Sequence, residues 1–152
     1  MRSIWPGAVA TVLMAASPLA ARAPATASAN GATATVDAFH AALHRGDTRT
    51  AAAMLAENAL IFESGGVERS KAEYVAQHLP ADAEFSRSVS SVVTKRVAHS
   101  NGALAWVASE GRTTGTYKGK ALVLLTTETM VLREVGQGWK IVHIHWSSAP
   151  KR

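Results

Sequence analysis

From Phe85 to Ser148 the chain is a succession of β-forming stretches. "FSRSVSSVVTKRVAHS" closes at Asn101-Gly102, "ALAWVASEGRTTGTY" follows, then "KALVLLTTETMVLREV" up to Gly136 to Gly138, then "WKIVHIHWSS". β-Branched residues broken by an Asn-Gly pair and by glycine turns predict antiparallel strands joined by hairpins. Such a sheet needs a cover for its apolar face, and the N-terminal half must supply it.

That half reads as helices. In "TATVDAFHAALHRGD", Val36, Phe39, His40 and Leu43 fall on one face at the i, i+3, i+4, i+7 spacing. Gly46 ends this helix, and Asp47 can cap a second over "TRTAAAMLAEN". The short apolar run "ALIFES" stops at Gly65-Gly66 and reads as a strand entering a turn. Ser70 and Glu73 form a capping box for a third helix, "SKAEYVAQHLP", which Pro80 is expected to end. The expected fold is α+β: a strongly curved antiparallel sheet wrapped around three N-terminal helices, with everything from Phe85 onward in the sheet.

A chain of 152 residues with 47% hydrophobic content is expected to be one domain with its own core. The absence of cysteine excludes disulfides, thiolate metal sites, Cys nucleophiles and a lipoprotein anchor. Arg2, the apolar "IWPGAVATVLMAAS" and the small residues of "PLAARAPATASA" read as a bacterial secretory signal, too short in its apolar part to span a membrane. Ala23, Ala27 and Ala29 each end an Ala-x-Ala triplet where cleavage is expected. Residues 1–29 are thus leader and 30–152 the domain, periplasmic or secreted, with no membrane attachment after cleavage. The formal charge of +5 falls to +3 without Arg2 and Arg22, and the remaining basic residues form no run, so a nucleic-acid partner is not expected.

The closing strand carries the most distinctive side chains. His143, His145 and Ser147 share one side, and Val142, Ile144 and Trp146 the other; the His-His-Ser side faces the helices or the reverse. The two imidazoles stand about 6.8 Å apart along the strand, close enough to share a ligand. Glu63, at the end of an apolar strand, can fix an imidazole tautomer or stand in water beside its glycines. Tyr74 and His78 lie four apart on the capped helix, facing a ligand or simply packing. Trp106, sharing a strand face with Glu110, is a ligand platform or core. Glu128, within "LLTTETMVL", must be paired or wet, and parity does not fix its side. There is no phosphate loop, nucleophile elbow or His-Glu-x-x-His helix.

The order of elements, with "AFHAALHRGD" opening, "FESGG" before the capped helix and "GWKIVHIHWSS" closing, resembles the nuclear transport factor 2-like superfamily, and within it the SnoaL-like, ketosteroid isomerase-like bacterial proteins, over Thr33 to Ser148. The resemblance implies a cone with a pocket, His143, His145 and Ser147 pointing into it, and a homodimer formed through the outer sheet face. It does not carry over the isomerase's Tyr, since Phe39 and His40 stand in that region.

The expected function is that of an exported small-molecule pocket protein. As an enzyme it would need no cofactor, acting as an isomerase, dehydratase or lyase in which His143 or His145 moves a proton while Tyr74, His78 or Glu63 stabilises charge. Trp106, Glu128 and Ser147 complete the candidate ligand contacts. Two alternatives stand beside it: a zinc or copper site made by His143 and His145 with His78 or Glu63, and a non-catalytic dimeric interaction domain.

Overall fold

In a computed structural model of the chain, the structure describes residues 25–151, with side chains from residue 29. Most of the expected leader, residues 1–24, lies outside the described residues. Helix α1 (Ala25–Arg45) begins within the stretch read as leader and buries Ala32, Val36, Phe39 and Leu43. That spacing of four, three and four residues keeps one apolar stripe on the sheet. Gly46, at φ +73°, stops it as a Schellman turn does, with Gly46 N–H donating to Leu43 O and Asp47 N–H to Ala42 O, both at 2.9 Å.

Helix α2 (Thr48–Met54) is capped by Asp47, whose carboxylate accepts from Thr50 N–H at 3.0 Å. It ends earlier than the sequence suggests because Leu55, Ala59 and Ile61 are buried as members of strand β1 (Leu55–Glu63). The Lys140 ammonium donates to the Ala53 carbonyl near the helix end, where a cation is favourable. Strand β2 (Gly66–Glu68) folds back on β1. Helix α3 (Lys71–Gln77) uses the expected cap, with Ser70 Oγ accepting from Glu73 N–H at 3.1 Å.

The expectation of three helices needs correction. Pro80 does not close α3; it sits in the first turn of a fourth helix, α4 (Leu79–Ser88), where a missing N–H costs nothing. Phe85–Ser88 are therefore helical and the long meander begins at Val89: β3 (Val89–Asn101), β4 (Leu104–Tyr117), β5 (Lys120–Val135) and β6 (Gly138–Pro150).

The sheet order is β2-β1-β6-β5-β4-β3, antiparallel except where β1 runs parallel to β6. Two devices reshape the strands. β3 carries an extra residue, Thr94, near Gly111 on β4, where an added Cβ would lie 2.8 Å from Thr126 Oγ1 and 3.0 Å from Val92 O. β6 carries an extra residue, Val142, between the pairs Leu132–Ile141 and Val131–His143. Each such bulge reverses the facing of the strand beyond it and increases its twist. The helices cover one face, and the core there is Phe39, Leu55, Ile61, Tyr74, Val107, Met130, Leu132, Ile141 and Ile144. The other face carries Val97, Leu104, Trp106 and Leu125, all exposed.

Candidate functional site

The concave face is built by register. Arg96 on β3 stands opposite Ser109 on β4, Ser109 opposite Glu128 on β5, Glu128 opposite Trp146 on β6, and Trp146 opposite Glu63 on β1. One largely polar row thus crosses five strands. The adjacent row, Val107, Met130, Ile144 and Ile61, is fully buried core. The polar row marks where apolar packing gives out.

Helix α1 lies over this row. His40 Nε2 donates to Glu128 Oε2 at 2.7 Å, and Trp146 Nε1 donates to the same oxygen at 2.6 Å. Glu128 Oε1 is buried with no partner among the described residues. Arg96 is tied down from two sides, by Asp37 Oδ1 at 2.5 Å and Ser109 Oγ at 3.0 Å. Phe39 stacks on the Trp146 indole at 6.3 Å between centroids, and Tyr74 lies 6.4 Å from the same ring.

A second cluster occupies the other flank of Trp146. The Tyr74 hydroxyl donates to Asp82 Oδ2 at 2.7 Å, and His78 Nδ1 pairs with buried Glu68 Oε1. Glu63 completes it at the rim. Burial raises Asp82, and neighbouring Glu68 adds to this, against the opposing pull of the Tyr74 hydrogen bond and His78. Glu63 is raised first by the burial of its inward side and then by Asp82 and Glu68. Tyr74 is driven upward by burial and by the Asp82 carboxylate, so it remains a phenol and a donor.

Glu128 behaves in the opposite way. Burial alone would push its carboxyl up, but the His40 hydrogen bond and charge, the Trp146 N–H and Arg96 together hold it below the usual carboxylate range. A carboxylate can only accept, so the shared proton belongs to His40 Nε2. Nδ1 is then the basic nitrogen of the neutral ring. The His40 side chain is 41% exposed while that of Glu128 is 10% exposed, so a fixed buried anion orients an imidazole that a small molecule can reach.

The expected site residues are divided by the sheet. Glu63, Tyr74, His78 and Glu128 lie on the helix side. His143, His145, Ser147 and Trp106 lie on the outer face, and their expected place in the pocket is corrected. His143 donates from Nδ1 to Leu60 O at 2.8 Å, and Phe62 packs edge-on against both imidazoles. The cause is the bulge at Val142, which lets Ile141 and Ile144 both point inward and sends the intervening His143 out. The alternative metal set fails for the same reason, since His78 is on the concave side. No group of three or more His, Asp or Glu side chains among the described residues is arranged to hold a metal ion. A hollow of about 210 Å³ over Ala108, among Lys95, Val97, Glu110, Thr127 and Thr129, opens on the outer face, with Ser109 and Glu128 also lining it.

Sequence reasoning missed His40, Arg96, Glu68 and Asp82. The signal for His40 was present, an imidazole on the apolar stripe of the first helix. Arg96 was hidden by the Thr94 bulge, which breaks strand parity just before it.

A curved sheet with helices on its concave side and a polar row under the first helix defines a nuclear transport factor 2-like cone of the small-molecule-binding type. The chain belongs to the SnoaL-like domain family, whose model matches residues 32–151. It is similar to the solved structure of a candidate ketosteroid isomerase from Shewanella frigidimarina, with 36% identity, a TM-score of 0.74, and coverage of 77% of this chain and 94% of that one. A candidate dehydratase of the NTF2-like family from Streptomyces avermitilis shares the fold at 17% identity and a TM-score of 0.68, over 83% of this chain and 99% of its own. An association domain from the calcium/calmodulin-dependent kinase II of C. elegans shares it at 19% identity and a TM-score of 0.61, over 80% of this chain and 96% of its own. No curated protein matches the chain.

Proposed function

We propose that the protein is a cofactor-free proton-transfer enzyme of the isomerase or dehydratase type, acting on a small molecule bound in the cone. The carrying observation is the His40–Glu128–Trp146 constellation: an exposed imidazole held at Nε2 by a buried carboxylate that the Trp146 N–H fixes in turn. His40 Nδ1 takes a proton from a carbon or hydroxyl of the substrate, and Glu128 stabilises the imidazolium that forms. On the far flank of the indole stand Asp82 and Glu63, each raised first by burial; the His40 imidazolium itself returns the proton to the substrate. This reading keeps the expected chemistry but moves it from His143 and His145 to His40. The similarity to the Shewanella protein supports it.

The test is proton exchange. Enolisable ketones incubated with the protein in deuterated buffer are followed by mass spectrometry for label at the carbon next to the carbonyl. The parent should catalyse exchange, His40→Gln should lose it about 100-fold or more, and a His143→Gln, His145→Gln double variant should keep it. Exchange that survives His40→Gln, or that vanishes only in the double variant, overturns the assignment.

Two properties of the whole molecule belong to the same proposal. Residues 1–29 act as an export leader; cleavage after Ala27 or Ala29 trims the start of α1 and leaves Ala32, the first buried residue of its stripe, in place. The protein works as a homodimer joined through the outer face.

A further inference from the structure

The geometry points to a knob and a hollow on the outer face by which two copies of the chain fit together: Trp106 of each copy seats in the hollow over the partner's Ala108. This rests on the reading of the outer face as the surface of a homodimer and gives that surface its central contact. Register sets the two pieces side by side. Ala108 stands between Val97 on β3 and Thr129 on β5, and Trp106, two residues earlier on β4, shares its face about 6.8 Å away. The short side chain of Ala108 leaves the hollow of about 210 Å³, with Lys95 and Glu110 at its lip; Trp106 is exposed beside it and does not line it. Pockets for whole small molecules begin at about 300 Å³. This one is of the size for a single side chain.

Symmetry, charge and area name the occupant. Sheets packed face to face lie about 10 Å apart, a gap that two opposed tryptophans overfill and two opposed alanines leave empty, whereas a tryptophan against an alanine fills it. Contacts across a two-fold are reciprocal. Because knob and hollow are neighbours on one strand, an axis running across the strands between the rows of Trp106 and Ala108 makes both insertions at once, at the centre of the interface, where a tryptophan in a pocket contributes most. The same axis lays the row of Leu104 and Arg133 over the partner's row of Glu110 and Thr127. Arg133, which has no carboxylate partner among the described residues, then comes within one strand of the partner's Glu110, so opposite charges meet at the rim. From Leu104 to Glu110 the face covers about 500 Å² in projection over β3 to β6. Side-chain relief and the outward Leu60 and Phe62 on β1 add to this, toward the about 800 Å² per copy of a stable interface.

The experiment is a swap, read as the dimer dissociation constant from sedimentation over a dilution series, with the far-ultraviolet spectrum as the check of folding. Trp106→Ala removes the knob and Ala108→Trp fills the hollow, and each should weaken the dimer about tenfold or more. The double variant, Trp106→Ala with Ala108→Trp, exchanges knob and hollow and should return to within about threefold of the parent, a coupling that only residues in contact show. Ala108→Trp adds apolar surface, so a face that dimerises by area alone would bind more tightly. A dimer of that variant as tight as the parent's, or tighter, overturns the insertion, as does a folded double variant no stronger than the weaker single one. Both outcomes leave the homodimer standing, whereas a parent of single-chain mass at every concentration overturns homodimer and insertion together. Should either single variant fail to fold, the double variant decides alone: dimeric as predicted, or folded and single-chain against it.

Discussion

Glu128 and Asp82 sit on opposite flanks of one indole, and their titrations pull stability in opposite directions. For Glu128 the folded pKa lies below its ordinary value of 4.5. Its contribution is fully present above that value and is lost as pH falls through the lower, folded one. Glu128→Gln should therefore cost about 1 to 3 kcal/mol at pH 7, and the difference from the parent should shrink as pH drops below about 4.5. For Asp82 the folded pKa lies above its ordinary 3.8, so the native state holds the proton more tightly. The sign reverses: stability falls as pH rises from the unfolded value to the folded one. Asn at this position still accepts from the Tyr74 hydroxyl but carries no charge. Asp82→Asn should match the parent near pH 3 and exceed it at pH 7. Urea midpoints of the parent and both variants between pH 3 and 7 check the two together; parallel curves for all three would refute the assigned causes.

At the scale of the element, the bulge at Val142 decides which side of β6 the histidines occupy. Trp139 and Ile141 are odd-numbered, Ile144 and Trp146 even, and all four pack in or against the core. No strand of strict period two can do that, so an extra residue must stand between Ile141 and Ile144. Strand existence, the hairpin turns, the Asp47 and Ser70 caps and the α+β layering could be read because each rests on local chemistry. The facing of His143 could not be read from the alternation of a few residues alone, since it depends on whether Ile141 and Ile144 are buried together. Pro80 was misjudged for a related reason: one residue stops a helix or starts one, and the helical Phe85–Ser88 decides which. Two substitutions test the facing directly. Ile144→Ala should cost about 2 to 5 kcal/mol in urea unfolding, whereas His145→Ala should fall within about 0.5 kcal/mol of the parent. Equal losses would mean that both faces of β6 are buried.

At the scale of the whole molecule, the outer face is what the fold leaves unfinished. Val97 and Leu104 on β3 and β4 are 49% and 48% exposed, Leu125 on β5 is 50% exposed, and Trp106 stands among them at 40%. Register places their side chains on the face opposite the helices, the face that also carries His143 and His145. Apolar side chains scattered over a surface need no explanation, but several on one continuous sheet face make a patch of the kind that a partner covers. Ile144 and Trp146 pack in or against the core, and Trp106, read as a ligand contact or core, becomes the centre of the exposed face. A second copy is the partner that every solution of the protein contains, and a stable interface needs about 800 Å² from each copy, an area a broad sheet face can supply. Light scattering during size exclusion should give the mass of two chains for the parent. Trp106→Glu places a charge where a desolvated contact is proposed and should yield a single-chain mass with an unchanged far-ultraviolet spectrum. Because Trp106 touches neither Glu128 nor His40, the monomer should also retain deuterium exchange, which separates loss of assembly from loss of the site. A parent that runs as one chain at every concentration, or a Trp106→Glu variant that remains a dimer, would show that this face serves another purpose.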